Sequence, residues 1–180
     1  MVLRELINGL DVVADENSTS IDIKGIAYDS RKVNPGDLFF CIKGYNSDGH
    51  KYADKAIEMG AAAIVCEDDV SCDVPVVMVN CSRNALSFIS AAFYDHPSEK
   101  LRIIGITGTN GKTSSTYFLK SILEACGYKV GLIGTNQNMI GDVVLETKRT
   151  TPESLELNEL FARMAEEIYK KMVEIDKKFK

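Results

Sequence analysis

The chain has 180 residues, of which 45% are hydrophobic and 26% charged, enough for one ordinary domain or two small ones with packed cores. A net charge of −5 without a stripe of basic residues argues against nucleic-acid binding, which needs clustered Lys and Arg. The N-terminus lacks a signal-peptide pattern, no apolar run approaches the ~20 residues of a membrane helix, and the five cysteines are scattered. We therefore expect a cytoplasmic protein with no membrane insertion, disulfide or zinc site.

The first hundred residues predict alternating strands and helices. Apolar or alternating runs predict the strands, and apolar residues at helical spacing predict the helices. Gly60 and the His96-Pro97 step are the expected helix stops. The predicted strands are 21–28, 38–42, 61–66 and 74–79, and the predicted helices are 52–60 and a segment around Leu86, Ile89 and Phe93.

A second unit is expected after the polar, proline-containing segment His96-Pro97-Ser98-Glu99. Its first element is a predicted strand at Leu101 to Thr107, followed by a glycine-rich loop. The remaining predictions are a helix from Thr113 to Cys126, a strand from Lys129 to Ile133, a loop with a possible hairpin at 135–149, and a long amphipathic helix that opens at Thr151-Pro152.

The strongest local pattern is Gly105-Ile-Thr-Gly108-Thr-Asn-Gly111-Lys112-Thr113, between a predicted strand and a predicted helix. Glycines let backbone N–H groups surround phosphate oxygens, and a helix N-terminus adds positive charge. Lys112 would neutralise the phosphates and the Thr113 hydroxyl would ligate Mg²⁺, so these two are the candidate catalytic residues. Ile106 stands where the general pattern has Gly, and the alternative is a glycine-rich turn with a chance lysine. The predicted ATP-binding residues are Gly108, Thr109, Asn110, Gly111, Lys112, Thr113 and Ser114.

The same loop, GTNGKTS, resembles the ATP loop of the Mur ligases. Asp29-Ser30-Arg31 with the following Pro35-Gly36-Asp37-Leu38-Phe39, and the segment from Gly44 to His50, also resemble this family. Both are shared with the ligase that adds D-Ala-D-Ala. Together with Arg149-Thr150-Thr151-Pro152-Glu153-Ser154, the loop points to the tripeptide-forming branch. The resemblance covers roughly residues 3 to 165.

The resemblance implies a small N-terminal α/β uridine-binding domain at 1–98 and the beginning of a P-loop ATP-binding central domain at 99–167. A divergent helical tail at 168–180 would follow. It also implies an ADP-forming ligase of peptidoglycan synthesis, with ATP and Mg²⁺ as cofactors. Its partners would be UDP-MurNAc-L-Ala-D-Glu and a diamino acid, meso-diaminopimelate or L-lysine. The D-Glu carboxylate would be phosphorylated, and the amine would attack the acyl phosphate.

By position, the resemblance assigns Ser30 to the uridine and Tyr45, Asn46 and Ser47 to the uracil pocket. Thr150 and Thr151 match the family's contacts to the muramoyl peptide. Each has a plainer interpretation, because Asp, Ser and Gly favour turns and Thr151 could cap the helix that follows it. Asp29, Arg31 and Asp37 are expected to be structural.

The resemblance ends near residue 170, where the family has a strand with a Glu-containing segment that ligates Mg²⁺. Here the sequence continues as an apparent helix, so we expect a truncated chain that binds nucleotide but does not turn over alone. A bare sheet edge and an uncovered apolar face are expected in 99–180, which should be less well ordered than 1–98. The alternatives are a non-catalytic ATP- or UDP-sugar-binding remnant and the D-Ala-D-Ala-adding ligase.

Overall fold

A computed structural model describes residues 1–14, 19–44, 47–145 and 152–178, with side chains described as far as 167. The chain divides into two compact units, Met1–Phe93 and Tyr94–Lys180. The architecture is mixed α/β, as the sequence predicts, and it ends in a long helix.

The first unit is built on a five-stranded sheet. Its spatial order is β1-β5-β4-β3-β2, in which β2 to β5 run parallel and β1 pairs antiparallel with β5. Strands β3 and β4 are buried at every position, which explains why they read as continuous apolar runs rather than as alternating ones. The strands are β1 Val12–Val13, β2 Gly25–Ala27, β3 Asp37–Phe40, β4 Ala63–Cys66 and β5 Val76–Val79.

Three helices and a 3-10 turn accompany this sheet: α1 Leu3–Leu6, the 3-10 turn Gly49–Tyr52, α2 Ala53–Glu58 and α3 Ser82–Phe93. Ala53 and Ala56 of α2 belong to the same buried cluster as Phe39 and Ile64 of the central strands. Helix α2 is followed by Gly60 at φ +102°, where a Cβ would lie 2.9 Å from the Pro35 Cα. Only glycine suits that conformation and that contact, so the predicted helix stop has a steric reason.

Two cysteines lie in the centre of the sheet. Cys66 is the last residue of β4, and Cys41 directly follows β3, with its N–H donating to the Val65 carbonyl at 2.8 Å. Both are buried, and that burial raises the pKa of Cys41 to about 12 and the pKa of Cys66 to about 11. These thiols therefore act as small apolar side chains.

The second unit contains a 3-10 turn at Pro97–Lys100, helix α4 Lys112–Ala125, an antiparallel sheet and the long helix α5 Ser154–Lys178. The sheet comprises β6 Gly131–Ile133, β7 Asn138–Ile140 and β8 Val143–Leu145 in the order β6-β7-β8. The hairpin expected within 135–149 is thus confirmed as β7–β8, which turns at Gly141. Helix α5 packs closely on β6, since a Cβ on Gly131 would lie 2.4 Å from the Met164 sulfur.

The predicted strand at Leu101 to Thr107 is wrong. This segment forms no strand, and Ile103 and Ile104 are 52% and 53% exposed. An apolar segment becomes a strand only when a neighbouring strand satisfies its backbone groups. Within the described ranges no strand pairs with residues 101–107.

An apolar face is also exposed on α4, where Phe118 and Ile122 lie one turn apart and are 70% and 60% exposed. This agrees with the expectation of an uncovered apolar face in the second unit. Among the described helices, none combines the length and the apolar character needed to cross a membrane.

Candidate functional site

The glycine-rich loop leads directly into α4. Gly108 has φ +151° and Gly111, the residue before the helix, has φ +77°. Both values favour glycine, and no heavy atom lies within 4 Å of the position that a Cβ on Gly111 would occupy. The loop therefore brings unobstructed backbone to the N-terminus of a 14-residue helix, where unpaired N–H groups and the helix dipole favour an anion.

Lys112, the first residue of α4, adds a positive charge at the same end. Its exposed ammonium group donates to the carbonyl of Gly108 at 2.5 Å and lies 3.5 Å from the carbonyl of Thr109. The lysine side chain thus crosses the loop. A phosphate placed at the helix N-terminus would offer this ammonium a charged acceptor in place of neutral carbonyls.

A cavity of about 120 Å³ lies beside the start of α4. Lys112 and Thr113 line one side, and the segment Gly134–Gln137 lines another. Ile106, the departure from the general loop pattern, also lines this cavity. A threonine hydroxyl next to a phosphate-sized space is a suitable oxygen ligand for Mg²⁺, which prefers hard donors.

The candidate uridine residues are only partly within the described structure. Ser30 is buried in the turn that follows β2. The Ser47 hydroxyl donates a hydrogen bond to the Tyr52 hydroxyl at 3.2 Å. Tyr45, Asn46, Thr150 and Thr151 lie outside the described residues, so their assignments stay predictions.

Ser30 and Ser47 follow adjacent parallel strands, β2 and β3. The carboxyl ends of parallel strands meet at one edge of a sheet, which is where ligands bind in open α/β sheets. Ser30 and Ser47 therefore lie toward the same edge of the first sheet.

Two acidic residues in the turns next to β2 and β3 have structural partners. The buried Asp37 accepts a hydrogen bond from the Asn34 N–H at 2.8 Å and so closes the turn before β3. Asp29 accepts two hydrogen bonds from the Arg31 guanidinium, at 2.9 and 2.8 Å, which lower the pKa of its carboxyl to about 2. These contacts fit the expected structural roles of Asp29, Arg31 and Asp37.

The sequence did not predict a set of polar contacts, here called the histidine network, at the ends of β3, β4 and β5. The His50 Nδ1 lies 2.6 Å from an Asp48 carboxylate oxygen, and its Nε2 accepts from the N–H groups of Glu67 and Asp68 at 3.1 and 3.2 Å. The Glu67 carboxylate accepts from the Ser82 N–H at the start of α3. Lys43 also belongs to the network, 2.9 Å from Asp68 and 3.4 Å from Glu67. Only the Asp48-Gly49-His50 spacing could have hinted at it, because the other partners are distant in sequence.

Asp48, His50 and Asp68 place their possible ligand atoms within 4.8 Å of one another. A metal ion there would compete for an Nε2 lone pair that two backbone N–H groups already use, and Lys43 already neutralises Asp68. These contacts favour a structural role over a metal site.

A larger cavity of about 780 Å³ lies in the second unit, between the end of α4, the β7–β8 hairpin and α5. Lys129, Arg163 and Glu167 contribute to its wall, and Lys129 pairs with Glu167 at 3.2 Å. Its described lining holds none of the predicted site residues.

Two family models match the sequence. "Mur ligase family, catalytic domain" matches residues 22–97, and "Mur ligase middle domain" matches residues 106–178. The first match contains Ser30 and the histidine network, and the second contains most of the glycine-rich loop.

Curated relatives agree with these matches. The chain is 52% identical over 171 residues to UDP-N-acetylmuramoyl-L-alanyl-D-glutamate–2,6-diaminopimelate ligase 1 of Clostridium acetobutylicum. That alignment covers 91% of this chain and 34% of the relative. It is 50% identical over 175 residues to the UDP-N-acetylmuramoyl-L-alanyl-D-glutamate–2,6-diaminopimelate ligase of Caldanaerobacter subterraneus subsp. tengcongensis. That alignment covers 96% of this chain and 36% of the relative. The chain thus spans about a third of the length of these relatives.

Solved structures share the fold. A UDP-N-acetylmuramoyl-L-alanyl-D-glutamate–2,6-diaminopimelate ligase aligns with a TM-score of 0.72 at 23% identity, covering 93% of this chain and 34% of that one. MurF from Acinetobacter baumannii aligns with a TM-score of 0.62 at 20% identity, covering 89% of this chain and 32% of its own length.

Proposed function

The chain belongs to the Mur ligase family, and from this premise we propose that it carries the uridine-binding and ATP-binding segments of a MurE-type ligase. The proposed whole-enzyme reaction joins a diamino acid to the D-Glu carboxylate of UDP-MurNAc-L-Ala-D-Glu with conversion of ATP to ADP and phosphate. The names of the relatives, at about half identity, support diaminopimelate as that diamino acid.

The observation that carries the proposal is the loop from Gly108 to Lys112. Its left-handed glycines, the N-terminus of α4 and the Lys112 ammonium all favour the same ligand, a polyphosphate. Thr113 would supply a hydroxyl oxygen to Mg²⁺ at the neighbouring cavity. Phosphorylation by ATP gives the carboxylate a leaving group, and a divalent ion offsets the negative charge that develops.

In this proposal the chain's own residues bind and orient. Backbone N–H groups at 108–113 would hold the phosphates in place of water, and Lys112 would turn from the loop carbonyls to the terminal phosphates. Ser30, with Tyr45, Asn46 and Ser47, would hold the uridine at the carboxyl edge of the first sheet. Thr150 and Thr151 would contact the muramoyl peptide.

Binding titrations on the whole 180-residue chain test the proposal. We expect ATP with Mg²⁺ and UDP-MurNAc-L-Ala-D-Glu to bind the unmodified chain in isothermal titration calorimetry. Lys112→Ala should weaken ATP binding by about 10- to 100-fold, the value of a charge-assisted hydrogen bond, without changing the affinity for the UDP ligand. Ser30→Ala should do the reverse.

Lys100→Ala is the matched control, since Lys100 is an exposed lysine of the same unit that precedes the loop in sequence and pairs with Asp95. It should leave both affinities unchanged. A folded chain that binds neither ligand would refute the proposal. Binding of both ligands without ligation by the full-length protein would instead favour a non-catalytic nucleotide-binding protein.

A further inference from the structure

The segment that connects β3 to the 3-10 turn holds three of the four residues assigned to uridine, and the histidine network lies at its end. Lys43 and Asp48 form an isolated β-bridge, and the Gly44 N–H donates to the Ser47 carbonyl at 2.9 Å, so the two ends of the segment are close together. Contacts that fix Lys43 and Asp48 therefore also fix the position of Ser47, the neighbour of Asp48.

His50 joins this segment to the neighbouring strand. Its side chain is only 11% exposed, and both ring nitrogens have partners, Asp48 on one side and the backbone of Glu67 and Asp68 on the other. Glu67 and Asp68 directly follow β4, and the Glu67 carboxylate in turn holds the first turn of α3. One imidazole thus connects the ends of two parallel strands, and Glu67 extends the connection to a helix.

The partners also determine the protonation pattern of the ring. Nε2 faces two N–H donors and must act as an acceptor, so the proton belongs on Nδ1, where it is donated to Asp48. Asp48 accepts a second hydrogen bond from the His50 N–H at 3.0 Å, and together these bonds from His50 lower the pKa of the Asp48 carboxyl. The network is fully paired only with neutral, Nδ1-protonated His50.

We propose that His50 is a positioning residue for uridine binding: through Asp48, Glu67 and Asp68 it holds Ser47 at the carboxyl edge of the sheet. The inference rests on the proposed uridine site. It assigns His50 no contact with the ligand. Its effect on affinity comes from holding Ser47 in place before the ligand arrives, which reduces the entropy cost of binding.

The test compares variants of the whole chain by calorimetric titration with UDP-MurNAc-L-Ala-D-Glu, at a temperature where circular dichroism shows each variant to be folded. His50→Ala should raise the Kd by about tenfold, as expected when an unfixed segment must be ordered on binding. His50→Gln, whose amide oxygen can still accept from the backbone of Glu67 and Asp68, should recover part of that loss. His96→Ala, the other histidine, should bind as the unmodified chain does.

A second readout is independent of folding effects in variants. Two-bond ¹H–¹⁵N correlation spectra of the unmodified chain report which ring nitrogen carries the proton, and with two histidines present the His50→Gln spectrum assigns the signals. We expect the Nδ1–H tautomer at neutral pH. The Nε2–H tautomer, or an unchanged Kd in folded His50→Ala, overturns the inference. If the unmodified folded chain does not bind the UDP ligand at all, the proposed uridine site fails first.

Discussion

Arg31 shows how a single side chain shapes the turn that carries Ser30. Its guanidinium binds both carboxylate oxygens of Asp29, and its backbone N–H donates to the same carboxylate at 3.1 Å. The Arg31 side chain is 77% exposed, whereas that of Asp29 is 23% exposed. The exposed guanidinium therefore lies over a largely covered carboxylate and closes the turn around Ser30 from the solvent side.

This arrangement predicts a pH-dependent loss of stability on Arg31→Gln. The ion pair holds the pKa of Asp29 at about 2 in the folded chain, below its ordinary value of 3.8, so the pair stabilises the fold above about pH 4. That contribution is lost as the pH falls through about 2, where the folded carboxyl takes up its proton. Urea midpoints of the two chains should differ modestly at pH 7, because the guanidinium is exposed, and converge toward pH 2. An equal difference at every pH would contradict this account.

Among the elements, the pairing of β2 with β3 depends on a missing side chain. Gly25 lies opposite Asp37 in the register, and a Cβ on Gly25 would be 2.4 Å from a carboxylate oxygen of Asp37. That carboxylate is buried and holds the Asn34 N–H, so it cannot move away without breaking the turn before β3. The edge strand and the turn therefore depend on each other.

Gly25→Ala should consequently destabilise the first unit by roughly 1–3 kcal/mol, the usual cost of overpacking a filled site. Gly105→Ala is a suitable control, since no heavy atom lies within 4 Å of its Cβ position and its φ is not in the left-handed region. Its stability should change by less than about 0.5 kcal/mol. Equilibrium urea unfolding measures both changes in stability. Equal effects of the two substitutions would show that the contact with Asp37 is not what destabilises Gly25→Ala.

The sequence predicted elements whose signal is local. Strands β3 to β5 read as apolar runs, α5 as a periodic pattern, and α4 as the helix that follows the glycine-rich loop. It missed β1, because two residues cannot show a period and their partner β5 is more than sixty residues away. It also overpredicted a strand at 101–107, since apolar character alone does not supply the paired neighbour that a strand requires.

The candidate site residues likewise include some that are predictable from local sequence and some that are not. The glycine-rich loop was predictable because its glycines, Lys112 and Thr113 are consecutive and the helix follows at once. The histidine network was not, because residues 43, 50, 67 and 82 meet only when three parallel strands align their carboxyl ends.

For the whole molecule, the two units differ in how much apolar surface they bury. The first contains the fully buried Phe39, Phe40, Leu38 and Ile64, whereas the buried apolar residues described in the second are Pro97, Leu132, Ile140, Met164 and Ala165. Exposed Phe118 and Ile122 add to that contrast. Apolar burial is the main favourable contribution to folding, so the second unit should open more readily.

Hydrogen exchange followed by mass spectrometry on the whole chain should show this directly. Peptides containing β3 and β4 should exchange far more slowly than peptides containing α4 or β6 to β8, because opening free energies follow local burial. Adding saturating ATP with Mg²⁺ should slow exchange in the peptide that spans 105–125 if the loop binds it. Equal protection in the two units would contradict the contrast in burial.

The positions of the cysteines allow the opening of the first sheet to be followed by thiol labelling of the native sequence. Cys41 directly follows β3 and Cys66 ends the neighbouring strand β4, and both thiols are buried and protonated, so an alkylating reagent can reach them only when those strands separate. Cys126 is exposed and would be modified without any such event. Comparing the labelling rates of Cys41 and Cys66 with that of Cys126 would thus measure how fast the sheet of the first unit opens, with no engineered probe.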